Sequence, residues 1–246
     1  MALYPVAGMK IYIGGVLSDK STDFVESDFA AQTWVEIDGW QTMGSLDDTA
    51  AEITTALINR GRDQKQKGTA QAPSMQNTFA VIADDAGQIA LLAAAQPANK
   101  NNYAFKIQGS DAVSSGTALT GVSMTAATPG VATKVAHGLS VGQAVVFDEG
   151  AGTLPTGIVD GTTYYIKTVP TADTFTVSAT KSGTVINTTG SPAGTYTVTT
   201  VPQNSQRLFI ALAMGAGETG GEANTIQSLN GTLSINSNIV KVLATA

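Results

Sequence analysis

Asp28–Arg62 reads DFAAQTWVEIDGWQTMGSLDDTAAEITTALINRGR, and its pattern decides the fold class. Over Thr33–Trp40 the residues alternate, Val35 and Ile37 on one face and Trp34, Glu36, Asp38 and Trp40 on the other. Ala51–Asn59 alternates again, with Ile53 and Leu57 on one side and Ala56 and Ile58 on the other. Period-two alternation rich in β-branched and aromatic residues predicts strands. Apolar residues on both faces of the second strand predict that both are covered, one of them by another subunit. A turn-rich segment with Gly44 and Asp47–Asp48 separates the two. Arg60–Pro73 then sets Arg60, Arg62, Lys65 and Lys67 against Asp63 alone and reads as a long polar loop; unstructured loops of this length are usually functional or disordered. Ser74–Asp84, SMQNTFAVIAD, reads as a strand. A compact apolar helix is expected over Ala86–Gln96, capped by Asp84 or Asp85, with Ile89, Leu92 and Ala93 as its stripe. The residues alone predict an antiparallel sheet with a long polar loop and one covering helix.

Outward from this stretch, Met9–Gly14 reads as a first strand ended by Gly14–Gly15, and residues 17–30 as a polar arm or loop. Asn101–Gly109 returns as a strand with Tyr103 and Phe105 on one side and Ala104 and Lys106 on the other. Near Gly121 the texture changes. Short strand patterns over Val131–Ala136, Gln143–Phe147, Thr163–Val169, Thr174–Ala179 and Thr195–Val201 recur about every ten residues between turn signals, as in a small all-β module. Removing residues 123–200 leaves 168 of the 246 residues, a sensible single domain. The expected organisation is therefore a discontinuous parent domain, 1–122 and 201–246, with an inserted β domain at 123–200. Gln206–Met214 reads as a strongly apolar strand followed by a mobile Gly215–Gly221, and Thr225–Leu229, Gly231–Asn236 and Asn238–Ala244 as closing strands.

Composition narrows the function classes. Hydrophobic residues make up 43% and charged residues only 13%, about half the usual quarter, which leaves a surface that desolvates easily and suits self-association. Net charge is −6. A chain that grips DNA is basic, since affinity comes mostly from neutralised phosphates; this balance speaks against clamping nucleic acid and is compatible with a weakly acidic conduit. With no cysteine, disulfides and thiolate metal sites are excluded. The start lacks the pattern of a signal peptide, and the longest apolar runs are too short to span a bilayer as a helix, so assembly in a cytoplasm is expected.

No constellation of catalytic residues stands out. Gly215, Gly217 and Gly220 spell G-x-G-x-x-G, but no amphipathic helix follows and no acidic residue lies beyond Glu222 to hold a ribose. His137 is the sole histidine and reads as a hydrogen-bonding residue in a turn before Gly138. Asp148–Glu149 lacks a calcium-loop pattern. Trp34 and Trp40 have no interleaved basic residues of the kind that stack nucleic acid and are expected to pack in a core or subunit interface. No enzymatic activity, cofactor or metal is expected.

The phrasing of the opening stretch resembles the major tail tube proteins of long-tailed bacteriophages. The resemblance rests on W-x-E-I-x-G-W-x-x-x-G from Trp34 to Gly44, D-x-x-x-E-I-T-T from Asp48 to Thr55, and N-R-G-R at Asn59–Arg62. It covers roughly residues 8–121 and, less sharply, 203–246. It implies a tail-tube-type β-sandwich or barrel with one covering helix. Its extended strands would join copies into hexameric rings, and the rings would stack into a tube through which phage DNA passes without specific binding. It also implies that the Arg60–Pro73 loop, with Arg60, Arg62, Lys65 and Lys67, packs against the next ring, aided by the N-terminal arm. Glu36, Asp38, Glu52, Trp34 and Trp40 become candidates for lumen or subunit-interface positions. The implied partners are the chain itself, a tape measure protein, and tail terminator and tail tip proteins, in a virion structural protein assembled in the bacterial host cytoplasm without membrane insertion. Within the insertion, AHGLSVGQAVVF (136–147), LPTG (154–157), GTTYYIKTV (161–169) and ADTFTVSAT (172–180) resemble a small β-barrel-like module of phage tail and fibre proteins, which would face outward. The alternative expectation is a β-sandwich adhesin or carbohydrate-binding protein that uses the inserted domain. A glycan-binding screen on that domain separates the two.

Overall fold

Strands dominate the fold. The computed structural model, which describes residues 5–111, 115–181 and 183–245, is 44% strand and 5% helical, with one α-helix. The chain divides into two units: Val6–Gln108 with Gln206–Val242, and Gly109–Ser205 with residues near both chain ends.

The first unit opens with β1 (Lys10–Val16), β2 (Val35–Glu36) and β3 (Trp40–Thr42), continues through β4 (Thr49–Thr55), β5 (Gln64–Gln71), β6 (Ser74–Ala80), α1 (Ala86–Ala94) and β7 (Tyr103–Gln108). The second unit supplies β8 (Ala118–Met124), β9 (Ala132–Thr133), β10 (Ala144–Asp148), β11 (Thr163–Thr171), β12 (Thr174–Ser178) and β13 (Tyr196–Thr200), and the first closes with β14 (Gln206–Thr219), β15 (Ser228–Ile235) and β16 (Val240–Val242). An antiparallel sheet runs β2-β1-β7-β14-β15-β6-β3, with β16 on the edge of β14 that β15 leaves free.

The order of this sheet forces it to roll. Its two outermost strands, β2 and β3, are separated in sequence only by Ile37, Asp38 and Gly39. Seven strands laid flat would set them about 29 Å apart at about 4.8 Å per strand, whereas the chain from Glu36 to Trp40 reaches at most about 14 Å. The sheet therefore curls until its edges meet. Ile37 N donates to Ile11 O (2.9 Å), and Ala80 N donates to Gly39 O (2.7 Å), so the crossover is fastened on both sides. Thr33–Trp40, expected as one strand, is thus two. Gly39 breaks it with φ of +76°, a conformation that side chains disfavour.

Rolling explains the core. Ile11 and Ile13 of β1 share one cluster with Met75 and Phe79 of β6, although three strands, β7, β14 and β15, lie between them along the sheet. Only the inner face of a curled sheet brings them together. Phe105, Ile107, Phe209, Leu229 and Leu233 join them, and α1 plugs the space with Leu91 and Ala94. Asp85 caps the helix, its carboxylate accepting from Gln88 N at 2.6 Å, as expected for a side-chain oxygen at this position. The expected stripe is corrected: Gly87, Gln88, Leu91 and Ala94 face inward, and Ile89 is 54% exposed.

On the outer face, Ala104, Leu208 and Ile210 are covered by Phe24 and Phe29. The segment 17–30, expected as a polar arm or loop, is thus docked on its own sheet through Phe24 and Phe29. A 3-10 turn at Glu26–Phe29 shapes it, and Asn238 holds it, accepting from Phe24 N (2.7 Å) and donating to Phe24 O (3.0 Å). Asp28 accepts from Lys20 Nζ and from Val25 N. The bond from Lys20, then that from Val25, hold its carboxyl below the ordinary 3.8. A carboxyl depressed on folding stabilises the docked turn fully above its unfolded value, and the benefit disappears as pH falls through the folded value. In a Trp40→Phe background, Trp34 fluorescence is expected to report this undocking on acid titration below pH 3.8, and Asp28→Asn to flatten that limb.

The second unit contains a closed barrel, β10-β11-β12-β9-β8-β13. Alternate residues fill it: Val145 and Phe147, Tyr164 and Ile166, Phe175 and Val177, Tyr196 and Val198. Closure leaves no edge bare. Tyr196 is buried and its hydroxyl donates to Thr153 O at 2.7 Å. The barrel strands lie within or beside the five expected patterns. It also takes in β8, which begins inside the stretch assigned to the parent domain. His137 accepts from Leu139 N (3.0 Å) and lies edge-on to Phe175. Gly109 N donates to Ser205 O (2.8 Å), and Ser205 N donates to Asp111 (2.8 Å), so the segments leading to and from the barrel strands run side by side.

Candidate assembly surface

Between Leu46 and Ala72, both packed on the core of the rolled sheet, the chain leaves that sheet altogether. Here, among the described residues, β4 and β5 pair only with each other. The long polar loop expected over Arg60–Pro73 is in large part strand β5, and the strand expected over Ala51–Asn59 ends at Thr55. The hairpin base is set by Gly44, where a Cβ would come within 2.4 Å of Gln76 backbone. Asn77, buried, accepts from Gly44 N and from Trp40 Nε1, both at 3.2 Å.

Every residue of the two strands is exposed except Gly68, which is half-buried. Glycine there leaves room for Ile53: a Cβ would sit 3.2 Å from the Ile53 side chain. Ile53 is 49% exposed and Ile58 fully so. With Leu57, 38% exposed, they form an apolar set that reaches solvent, only Ile58 being wholly uncovered.

The charges of the hairpin are partly arranged. Lys65 Nζ donates to both oxygens of Glu52, at 2.9 and 3.0 Å, and Lys67 stands opposite Glu52 in the ladder. Two residues assigned in sequence to separate roles, Glu52 and Lys65, are thus one ion pair. Lys65 and Lys67 are strand residues, whereas Arg60 and Arg62 lie on the connecting turn, where Arg60 N donates to Leu57 O (3.0 Å). Between residues 49 and 71 there are four Lys/Arg against two Asp/Glu, and the rest of the same unit holds six against twelve. A basic hairpin extends from an acidic body.

The remaining candidates sit at the crossover. Glu36 pairs with Lys10 (2.9 Å), and this bond holds the Lys10 ammonium above its ordinary value. Asp38 is exposed, its carboxylate accepting from Gly39 N at 2.7 Å. Trp34 and Trp40 are placed apart, Trp34 packing with the outer-face cluster and Trp40 with the inner core. Lys106 lies 4.0 Å from the Tyr12 ring centroid and 5.1 Å from that of Trp34. Burial lowers the Lys106 pKa, against the pull of Glu36, and burial raises that of Tyr12.

Sequence reading missed the clamp that holds the crossover in place. Gln88 is buried; its amide nitrogen donates to Asp38 O (2.9 Å) and Ala80 O (2.8 Å), and its oxygen accepts from Ile82 N (3.1 Å). Gly87 lets α1 sit this close, since a Cβ there would lie 2.0 Å from Glu36 O. The available signal was a glycine in the first turn of a helix, a position it weakens by about 1 kcal/mol relative to alanine. No protein-family model and no curated protein matches the chain.

Proposed function

We propose that this chain is a structural subunit that polymerises with identical copies into stacked rings, forming a phage tail tube with no catalytic role. The observation that carries the reading is the hairpin of β4 and β5. A lone two-stranded hairpin is marginal in water, and its unpaired edges are templates for further strands. This one also displays Ile53, Leu57 and Ile58 to solvent. Its basic charge on an acidic unit favours another copy of the chain as the surface that covers it. Ring closure then leaves no strand edge over.

The resemblance in sequence supplies the hexameric ring, the conduit for DNA and the virion setting, together with tape measure, terminator and tip proteins as partners. An acidic, charge-poor chain suits DNA in transit, which a basic wall would retain. In this reading the second-unit barrel is dispensable for the tube.

Negative-stain electron microscopy of the purified chain tests the proposal. Hollow filaments or rings are expected both from the full chain and from one in which residues 112–202 are replaced by a short Gly-Ser linker. The pairing of Gly109 with Ser205 makes that junction short. Monomers under all conditions, including addition of preformed tail-tip complexes as initiators, would overturn it.

A further inference from the structure

We propose that Asp38–Gly39 is a site of spontaneous backbone isomerisation, converting aspartate to isoaspartate at the crossover that ties the two edges of the rolled sheet. The Gly39 amide nitrogen gives up its proton to water and attacks Asp38 Cγ. The step runs through the protonated Asp38 carboxyl: the new N–Cγ bond forms as the Cγ–OH bond breaks, and the hydroxyl takes a proton back from solvent and leaves as water. The resulting succinimide takes water back: opening at Cγ restores aspartate, and opening at the α-carbonyl gives the β-linked isomer. No oxidant or enzyme is needed, and mass is unchanged.

Two conditions favour this step, and the structure brings them together at this bond. The attacking amide must lie against the side chain, and its own residue must be unhindered. Gly39 N lies 2.7 Å from Asp38 Oδ1, and Asp38 is exposed to water. Asp19 and Asp47 make the same contact with the next amide, each at 2.8 Å, but Lys20 and Asp48 follow them. Asp160 and Asn230 are followed by glycine, yet their side chains are engaged elsewhere. Asp160 accepts from Glu149 N (2.8 Å) while Gly161 N donates to Phe147 O (3.0 Å). Asn230 accepts from Thr78 and donates to Thr219, and Gly231 is buried between β14 and β6. The intrinsically more labile Asn-Gly pair is thus protected, and the fold reverses the chemical ranking. Isomerisation would add a methylene to the main chain beside the carbonyl that Gln88 holds, loosening the crossover.

The folded full-length chain is incubated in neutral buffer for weeks, then digested and mapped with isoaspartyl methyltransferase labelling. Isoaspartate is expected to form at 38 about tenfold faster than at 160 or 230, the ratio given by a barrier difference of about 1.4 kcal/mol. Asp38→Glu keeps the charge but cannot close the five-membered ring, and is expected to abolish the signal from that peptide. Equal or greater isoaspartate at 160 or 230, none at 38, or a signal that survives Asp38→Glu would overturn the proposal.

Discussion

Replacing Ile53, Leu57 and Ile58 with Asp is expected to abolish filament formation while leaving the melting temperature of the isolated chain unchanged. All three side chains are exposed in the single chain, and surface changes away from packed features usually stay within about 0.5 kcal/mol. When an identical copy covers them, Ile58 contributes about 1.5–3 kcal/mol of apolar burial, and Ile53 and Leu57, already half covered or more, about half as much each. Losing all three weakens association by about a hundredfold or more. Analytical ultracentrifugation and microscopy on one preparation, with melting followed by circular dichroism, read both halves. Reversing Arg60, Arg62, Lys65 and Lys67 to Glu should also weaken assembly, with an effect that shrinks in high salt, because exposed charges are screened within about 10 Å at 0.1 M ionic strength. Filaments that survive the three Asp substitutions would remove the hairpin from the assembly surface. The tube itself would then need another contact.

The parts of the fold legible in the sequence are those where one face is buried and the other is not. The barrel strands alternate because their inward residues fill a closed interior, so β10 to β13 were readable to within a few residues. A cap at Asp84 or Asp85 was readable because a carboxylate before an apolar run has few other local uses, and the structure selects Asp85. Of the hairpin, β4 was legible in the alternation of Ala51–Asn59, whereas β5 was not. QKQKGTAQ, the sequence of β5, contains no alternation of apolar with polar residues, because neither face packs on its own chain. Strand propensity largely measures packing against neighbours, so a strand that packs on little of its own chain leaves little trace.

Other misses have equally local causes. Alternation runs unbroken from Thr33 to Trp40, and only Gly39 signals that the chain steps from one sheet edge to the other; glycine inside a strand pattern marks such breaks. The helix AGQIALLAA is apolar nearly all round, so its periodicity could not fix which side faces the core, and Ile89 turned outward. The glycines after Met214 read as a mobile turn, yet β14 runs on to Thr219, with Gly215 opposite Thr232 and Gly217 opposite Asn230. A register shift between Ala213 and Gly215 absorbs the extra residue, as a bulge does. The candidates Trp34, Glu36, Asp38 and Trp40 all fall in or beside the crossover. Their common feature, proximity to the crossover, depends on contacts between residues some fifty apart in sequence, such as Gln88 with Asp38.

That crossover is the point where a single methyl group should do the most damage to folding. Gly87→Ala is expected to destabilise the chain by about 3–4 kcal/mol, toward or beyond the upper end for overpacking, although alanine improves helix propensity by about 1 kcal/mol. The added carbon would lie 2.0 Å from Glu36 O and 2.6 Å from Ile37 Cα. Both are backbone atoms, so no flexible side chain can swing aside. The helix must lift, and lifting separates Gln88 from Asp38 O, Ala80 O and Ile82 N. Gln88→Leu probes the same seat without a clash, leaving those three groups unpaired at about 1–3 kcal/mol for each that stays buried. The two effects should fall short of additive, since a helix already lifted has no such bonds left to lose. Chemical denaturation of the two single variants and the double variant measures this coupling, and the Gly87→Ala change alone should lower the melting temperature by roughly 10 °C. A stabilising Gly87→Ala would mean that propensity wins and that α1 does not rest on the crossover. With the seat confirmed, the helix N-terminus joins the backbone bonds of Ile37 and Gly39 in holding the three-residue crossover that closes the rolled sheet.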